Sequence, residues 1–154
     1  MAAYFFDTSA VVKRYANETG SPWVQQITDP ALSHFIYIAR ITEVEVASAI
    51  TRRLRAGSLS SSDARVGMTN FRYDFMHQYR IVEILPVLTS RAASLVQTHG
   101  LRAYDAVQLA AALEINADRA AVGLSAITLI SADAVLNAAA MAEGLAVDDP
   151  NAHL

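Results

Sequence analysis

Residues 3–15 read AYFFDTSAVVKRY, and this segment indicates the fold of the whole chain. Its apolar part, residues 3–6, has the length and composition of a buried strand. The polar residues Asp7, Thr8 and Ser9 follow, and all three are types that begin helices by capping the free N–H groups of the first turn. The residues beyond them return to an apolar pattern. We therefore predict a buried strand that turns sharply into a helix at Asp7.

The same alternation of strand and helix continues along the chain. Further strands are predicted at residues 35–38, 81–85, 126–131 and 145–147, and further helices at residues 21–28, 41–56, 60–79, 89–100, 102–116 and 133–144. In the helix that starts near residue 41, the apolar pattern is carried by Val44, Ala47 and Leu54. Long helical segments between strands imply crossovers, so we predict an α/β fold with a mainly parallel, five-stranded sheet and helices on both faces.

The composition limits the class of protein. With 154 residues, 53% of them hydrophobic, and no Cys, the chain can bury a core as a single domain, 1–154, without disulfides. The formal net charge of −3 excludes a strongly basic nucleic-acid binder, but not an enzyme that acts on nucleic acid. No apolar run approaches the roughly 18 residues of a membrane span, and the first residues lack the basic segment of a signal peptide. We therefore expect a soluble, cytoplasmic protein that does not engage a membrane.

Four carboxylates stand where polar side chains meet in a parallel sheet. Asp7 and Asp133 follow predicted strands, and open α/β sheets bind their ligands beyond the carboxyl ends of the strands. Glu45 lies one turn into a predicted helix, and Asp105 lies near the start of an Ala- and Leu-rich helix. A capping role explains Asp7 and Asp133 equally well. For Glu45 and Asp105, the alternative is a surface or first-turn acid.

If these side chains converge, their negative charges require compensation. Carboxylates a few ångströms apart either share protons or bind a hard divalent cation. Oxygen ligands favour Mg²⁺ or Mn²⁺ over Zn²⁺, and the scattered histidines provide no alternative set of ligands. The sequence therefore predicts a magnesium or manganese site.

Four segments resemble, in order and spacing, the four acidic motifs of PIN-domain ribonucleases. They are FDTSA at residues 6–10, TEVEV at 42–46, GLRAYDAVQLA at 100–110 and SAD at 131–133. The resemblance extends over nearly the whole chain, and its third segment is the most distinctive. The branch that looks most similar is that of the VapC-like toxins of bacterial type II toxin–antitoxin modules.

The resemblance implies a PIN-like three-layer fold and an Mg²⁺- or Mn²⁺-dependent endoribonuclease. Position by position, it implies that the catalytic metal ligands are Asp7, Glu45, Asp105 and Asp133. Glu45 fits better than Glu43, because it stands three residues after Thr42. The residues that would orient these carboxylates or a bound water are Thr8 or Ser9, and Ser131. Some relatives carry a further acid beside the fourth motif, but Ala134 and Val135 stand here, so the choice between one and two metal ions stays open.

The resemblance also implies a product, partners and an assembly. Hydrolysis of RNA would leave a 3′-hydroxyl and a 5′-phosphate, and a cognate antitoxin and a homodimer are expected. The candidate cations for contacts with phosphate are Lys13, Arg14, Arg40, Arg52 and Arg102. Surface ion pairing is the alternative role for most of them.

Other classes of function are compatible with parts of the sequence. One is a catalytically silent binding module, whose acidic groove holds an arginine of a partner protein. A phosphotransferase with an aspartate nucleophile is less favoured, because Ser9 stands where haloacid-dehalogenase-like enzymes have a second Asp. A dinucleotide-binding fold is disfavoured, because no G-x-G-x-x-G follows the first strand.

Overall fold

The computed structural model describes all 154 residues, Met1–Leu154. The strands are β1 (Ala3–Phe6), β2 (Phe35–Ala39), β3 (Arg80–Val82), β4 (Thr128–Ile130) and β5 (Ala146–Asp148). The helices are α1 (Thr8–Tyr15), α2 (Ser21–Ile27), α3 (Thr42–Arg55), α4 (Ser61–His77), α5 (Pro86–His99), α6 (Ala103–Ala121) and α7 (Ala134–Ala142). Short 3₁₀ turns occur at Pro30–Leu32 and Pro150–Ala152. None of the helices has both the length and the apolar character needed to cross a lipid bilayer.

The five strands form one sheet in the order β3-β2-β1-β4-β5, and every neighbouring pair is parallel. In the central strand, Phe5 is in register with Tyr37 of β2 and with Leu129 of β4. Parallel neighbours need crossover connections, and the helices provide them. The predicted sheet is confirmed. Because Phe6 is in register with Ile130, the residues that follow β1 and β4 leave the sheet side by side.

Two apolar cores cover the two faces of the sheet. Phe5 and Leu129 belong to the core that packs against α5, α6 and α7. Phe6 and Ile130 belong to the core that packs against α1, α2, α3 and α4. Consecutive strand residues point to opposite faces, so the Phe5-Phe6 pair gives one fully buried ring to each core. The predicted three-layer arrangement is therefore confirmed as well.

The buried face of α3 differs from the expectation. Val44 and Leu54, expected on the apolar side, are 63% and 38% exposed. The buried residues of the helix are instead Thr42, Val46, Ala49 and Ile50, at spacings of three and four. Successive helix residues are rotated by about 100°, so burial of Val46 directs Val44 to another side of the helix. As a result, a large apolar side chain is left exposed immediately before Glu45.

The segment around Pro86 also differs from the expectation. The pattern predicts a strand over residues 81–85 and a helix from residue 89, whereas β3 is Arg80–Val82 and α5 begins at Pro86. Proline suits the first position of a helix, because the N–H that it lacks would have no intrahelical partner there. The proline therefore starts a helix as well as ending the preceding extended segment.

Candidate active site

Asp7 lies where β1 ends and α1 begins, at the middle of the carboxyl edge of the sheet. Its backbone N–H donates to the carbonyl of Ile130 at 3.1 Å, which continues the β1–β4 pairing. Its Oδ1 accepts a hydrogen bond from the N–H of Ala10 at 3.1 Å, so Asp7 caps α1. The capping role that was the alternative for Asp7 is therefore present, and it holds the carboxylate at this edge.

Two serines complete the surroundings of the Asp7 carboxylate. The hydroxyl of Ser9 donates to Oδ1 at 2.6 Å, and that of Ser131 donates to Oδ2 at 3.0 Å. Each hydroxyl also accepts from a backbone N–H, that of Ala132 at 2.9 Å for Ser9 and that of Asp133 at 3.1 Å for Ser131. These bonds join the residues after β1 to those after β4, and they fix the orientation of the carboxylate.

Burial makes the Asp7 carboxyl a weak acid. The residue is 4% exposed, and the loss of water raises the pKa of Asp7 to about 7. Hydrogen bonds from Ser9, Ala10 and Ser131 act in the opposite direction, and the charge of Asp133 adds to the increase. The ionised carboxylate is therefore unfavourable until a positive charge stands beside it.

Glu45, in the first turn of α3, is held by side chains from two other helices. The hydroxyl of Thr8, on α1, donates to Glu45 Oε1 at 3.0 Å. The amide Nε2 of Gln108, on α6, donates to the same oxygen at 2.8 Å. This amide also lies 3.0 Å from Thr42 Oγ1 and 3.3 Å from Thr8 Oγ1. Gln108 therefore links α1, α3 and α6 around one oxygen of Glu45.

Gln108 is a site residue that the sequence analysis missed. It is 2% exposed, and its own Oε1 has no hydrogen-bond partner. A buried polar atom left unpaired costs about 1–3 kcal/mol, so the amide destabilises the core while it orients Glu45. The only signal in the sequence is one amide within the Ala- and Leu-rich part of α6, at a position that an apolar side chain would otherwise fill.

We expect the free energy of unfolding of Gln108→Glu to depend more strongly on pH than that of the wild type. The new carboxylate would lie beside that of Glu45, and two carboxylates so close do not both ionise without a penalty. The free energy of unfolding in EDTA should therefore fall by about 1–3 kcal/mol more than that of the wild type between about pH 5 and pH 8. Urea denaturation at several pH values measures this change.

Gln108→Met is the matched control for this prediction. It removes the same hydrogen bonds in a similar volume and adds no charge, so its loss of stability should be the same at every pH. Equal pH dependence in the two variants would contradict the contact between Gln108 and Glu45.

Asp105 and Asp133 complete the group of four. Asp105, in the first turn of α6, makes neither a hydrogen bond nor an ion pair. Burial raises the pKa of Asp105, and the charges of Asp133 and Glu45 raise it further, whereas the charge of Arg102 lowers it. Asp133 caps α7, because its Oδ1 accepts from the N–H groups of Val135 and Leu136 at 2.9 and 3.0 Å. Asp133 thus has the capping role as well, and its second oxygen is left without a hydrogen bond.

The four carboxylates line one cleft of about 250 Å³. None of the seven ion pairs in the structure includes any of them. Their oxygens are the donors that Mg²⁺ and Mn²⁺ prefer, and burial above all raises the pKa values of Asp7 and Asp105, to which the neighbouring carboxylates add. As the side chains stand, no three His, Asp or Glu residues are close enough to enclose an ion. The residues thus fit a metal by the chemistry of their oxygens.

The structure separates the five candidate cations for phosphate. Three do not line the cleft, and each of them is paired with an acid: Lys13 with Glu18, Arg14 with Asp74 and Arg40 with Glu83. Arg52 lines the cleft and makes no ion pair, and Arg102 is close enough to act on Asp105. Arg53, which the sequence analysis missed, also lines the cleft but is paired with Glu18 at 3.1 Å. Arg52 is therefore the cation best placed for a ligand.

A larger depression, of about 410 Å³, lies on another part of the surface. Its arginine is already paired, since Arg14 lies 3.3 Å from Asp74 and the hydroxyl of Tyr15 donates to Asp74 at 2.7 Å, and its other acid, Asp29, caps the turn at Pro30–Leu32. The meeting of four carboxylates without an ion pair, rather than volume, distinguishes the carboxylate cleft, which we therefore regard as the candidate active site.

Comparison with known proteins shows the family and the fold of the chain. A family model described as "PIN domain" matches residues 4–142. Two curated relatives, "Ribonuclease VapC45" and "Ribonuclease VapC49" from two strains of Mycobacterium tuberculosis, are each 33% identical over 119 residues, which cover 75% of this chain and 78% of the relative. A solved structure described as a toxin–antitoxin complex from Klebsiella pneumoniae superposes with a TM-score of 0.63 at 18% identity, over 96% of this chain and 97% of that one. The last likeness supports the fold alone.

Proposed function

This chain belongs to the PIN domain family, and from that membership we propose that it is a metal-dependent endoribonuclease and the toxin of a toxin–antitoxin pair. The observation that carries the proposal is the cleft in which Asp7, Glu45, Asp105 and Asp133 meet without a paired cation. The names of the two curated relatives support RNA as the substrate.

The four carboxylates would hold one or two ions of Mg²⁺ or Mn²⁺. A divalent cation there would lower the pKa of a water molecule and stabilise negative charge on the scissile phosphate. Hydrolysis would join a water oxygen to phosphorus and break the bond from phosphorus to the 3′ oxygen, and a proton of the water would end on that 3′ oxygen. The products are a 3′-hydroxyl and a 5′-phosphate, and no side-chain nucleophile is required.

The protein's own part in this reaction is to hold charges and orient groups. Ser9 and Ser131 donate to opposite oxygens of Asp7, so this carboxylate is fixed before a ligand arrives. Thr8 and Gln108 both donate to Oε1 of Glu45, which leaves Oε2 for a ligand. Asp105 makes no hydrogen bond or ion pair that would have to break before it binds a ligand.

Arg52 would bind the phosphate group of the substrate. Its guanidinium lies at the cleft and makes no ion pair, and a guanidinium binds phosphate oxygens through two parallel hydrogen bonds. The arginine also reduces the repulsion between an anionic cleft and an anionic backbone.

The proposal is tested by incubating the isolated chain with a labelled single-stranded RNA in Mg²⁺, in Mn²⁺ and in EDTA. We expect cleavage with either metal and none in EDTA, and the products should carry a 5′-phosphate, which a ligase can use without prior treatment with a kinase. Cleavage that persists in EDTA, or a complete lack of cleavage in both metals, would refute the proposed activity.

A catalytically silent binding module is the second candidate. It is favoured by one observation, that no three carboxylates enclose a metal-sized space in the structure. In that case, the cleft would hold a cationic side chain of a partner. Cleavage by the isolated chain, lost in Asp105→Asn, separates the two candidates.

The partners follow from the same proposal. We expect an antitoxin that places a basic side chain in the cleft, because the cleft carries four acids and only Arg52 as a free cation. A homodimer stays a prediction from the family resemblance, and a cytoplasmic location stays a prediction from the sequence.

A further inference from the structure

A second groove, which we call the Tyr104 groove, adjoins the carboxylate cleft. It has a volume of about 230 Å³ and is lined by Thr8, Ile41, Val44, Glu45, Ser48, Arg52 and Tyr104. Three of these residues, Thr8, Glu45 and Arg52, also line the cleft itself. Any chain bound across the cleft can therefore continue into the groove without a break.

Two large apolar side chains border this groove and remain in contact with water. Tyr104 is 61% exposed and Val44 is 63% exposed. Each one directly precedes a carboxylate of the site, since Val44 is followed by Glu45 and Tyr104 by Asp105. The phase of α3, which buries Val46, turns Val44 to this side. An exposed ring and an exposed isopropyl group next to an acidic cleft offer a surface for a planar apolar group.

We propose that the Tyr104 groove is a subsite that stacks one unpaired nucleobase of the RNA, while Arg52 binds the adjacent phosphate. This inference rests on the proposed ribonuclease function and adds a contact with a base, outside the carboxylate cleft. Every base has a π-face, so stacking on Tyr104 does not demand one base. In a duplex, both faces of each base are already stacked, so only an unpaired base can lie against the ring.

The shape and charge of the groove fit a base better than a segment of protein. A docked amphipathic helix needs apolar anchors over at least two turns, whereas this groove has two exposed apolar residues, and the others that line it are mostly polar. Arg52, at the junction of groove and cleft, makes no ion pair and its charge complements a phosphate. An aromatic ring beside a cation complements single-stranded nucleic acid, which presents a planar base beside an anionic phosphate.

The test measures binding of a labelled 12-nucleotide RNA of mixed sequence by fluorescence anisotropy. The protein carries Asp105→Asn to prevent cleavage, and Mg²⁺ is present. Tyr104→Ala is expected to weaken binding of the single strand by about 5- to 100-fold, and Tyr104→Phe by no more than about twofold. Tyr73→Ala is the matched control, because Tyr73 is an exposed tyrosine, 64% accessible, that lines neither the groove nor the cleft. It should leave binding unchanged.

A salt titration separates the two contacts of the subsite. Arg52→Gln should reduce the slope of log K against log salt by about 0.7, the value for one phosphate of a single strand, whereas Tyr104→Ala should not change it. The same strand annealed to its complement should bind weakly, and equally well to the proteins with and without Tyr104→Ala.

Several results would overturn the subsite. They are equal binding by the Tyr104→Ala and Tyr73→Ala proteins, a duplex bound as tightly as the single strand, and a Tyr104→Ala protein that loses a partner protein but not RNA. If the wild type cleaves RNA and Tyr104 has no effect, the subsite alone is wrong. If the wild type cleaves no RNA and the Asp105→Asn protein binds none, the ribonuclease function is wrong and the subsite with it.

Discussion

Replacing Asp105 by Asn is expected to lower the rate of RNA cleavage by about 100- to 1,000-fold and to raise the melting temperature of the metal-free protein. The loss of rate follows because one of the four proposed oxygen ligands becomes a neutral amide, which lowers the negative charge available to hold a cation. The gain in stability follows because burial and the charges of Asp133 and Glu45 raise the pKa of Asp105, so its ionised form is unfavourable in the folded state. No hydrogen bond of the fold is lost, because the carboxylate makes none.

Asp63→Asn is the matched control for this prediction. Asp63 is the third residue of α4, as Asp105 is the third residue of α6, but it is exposed and lines neither the carboxylate cleft nor the Tyr104 groove. Both variants remove one negative charge from the first turn of a helix. Steady-state cleavage in Mg²⁺ and thermal melts in EDTA should show no change in rate for Asp63→Asn and no increase in its melting temperature. Wild-type rates in Asp105→Asn would contradict its assignment as a metal ligand.

The positions of Asp7 and Asp133 could be predicted from the sequence because the physics there is local. Each follows a short, almost entirely apolar run, which is typical of a central strand that is covered on both faces. Parallel strands bring their carboxyl ends to one edge of the sheet. The capping alternative was also correct for both residues. Capping and ligand binding need the same thing, a carboxylate fixed where a strand gives way to a helix, so neither role excludes the other.

The orientation of helix faces could not be predicted with the same certainty. On α3, a change of two positions decides whether Val44 or Val46 is buried, and the spacing of valine and alanine allowed both choices. The same uncertainty applied to the arginines, since Arg14 and Arg52 look alike in the sequence. Only the packed structure shows that Asp74 holds Arg14 while Arg52 reaches the cleft. The helical period specifies which residues share a face, but not which face the core selects.

Gln108 could not be assigned because its role depends on three helices at once. Its partners Thr8, Thr42 and Glu45 come from α1 and α3, far from it in the sequence. An amide in an apolar helix signals that some polar group lies opposite, but it does not identify that group. Local patterns therefore found the carboxylates, and tertiary structure was needed to find the residue that holds one of them.

In the absence of metal, the free energy of unfolding is expected to fall by about 3 kcal/mol, through Asp7 alone, as the pH rises from about 4 to about 7. The folded protein keeps the proton of this carboxyl up to its pKa of about 7, whereas the unfolded chain releases it near the ordinary value of 3.8. Between these values the folded state binds more protons, so stability is highest at low pH and is lost as the pH rises through the folded pKa. Urea denaturation in EDTA across this range measures the slope.

Asp7→Asn should remove this slope, because the amide cannot ionise and still accepts the hydrogen bonds of Ser9 and Ala10 through its oxygen. Asp29→Asn is the matched control, since Asp29 also caps a helical turn but is exposed and lies outside the cleft; its slope should equal that of the wild type. A slope unchanged in Asp7→Asn would contradict the assignment of the high pKa to this residue.

Mg²⁺ should offset the loss of stability that Asp7 causes at high pH. A cation in the cleft would bind the ionised carboxylate, so metal binding would compete with the proton below about pH 7 and meet little such competition above it. The increase in melting temperature on adding millimolar Mg²⁺ should therefore be small near pH 5 and large near pH 8, and Asp7→Asn should reduce it at pH 8. A metal-induced shift that is the same at both pH values would show that the ion binds away from Asp7. If instead the shift grows with pH in the wild type and not in Asp7→Asn, the carboxylate that is hardest to ionise in the empty protein is the one that the metal stabilises most.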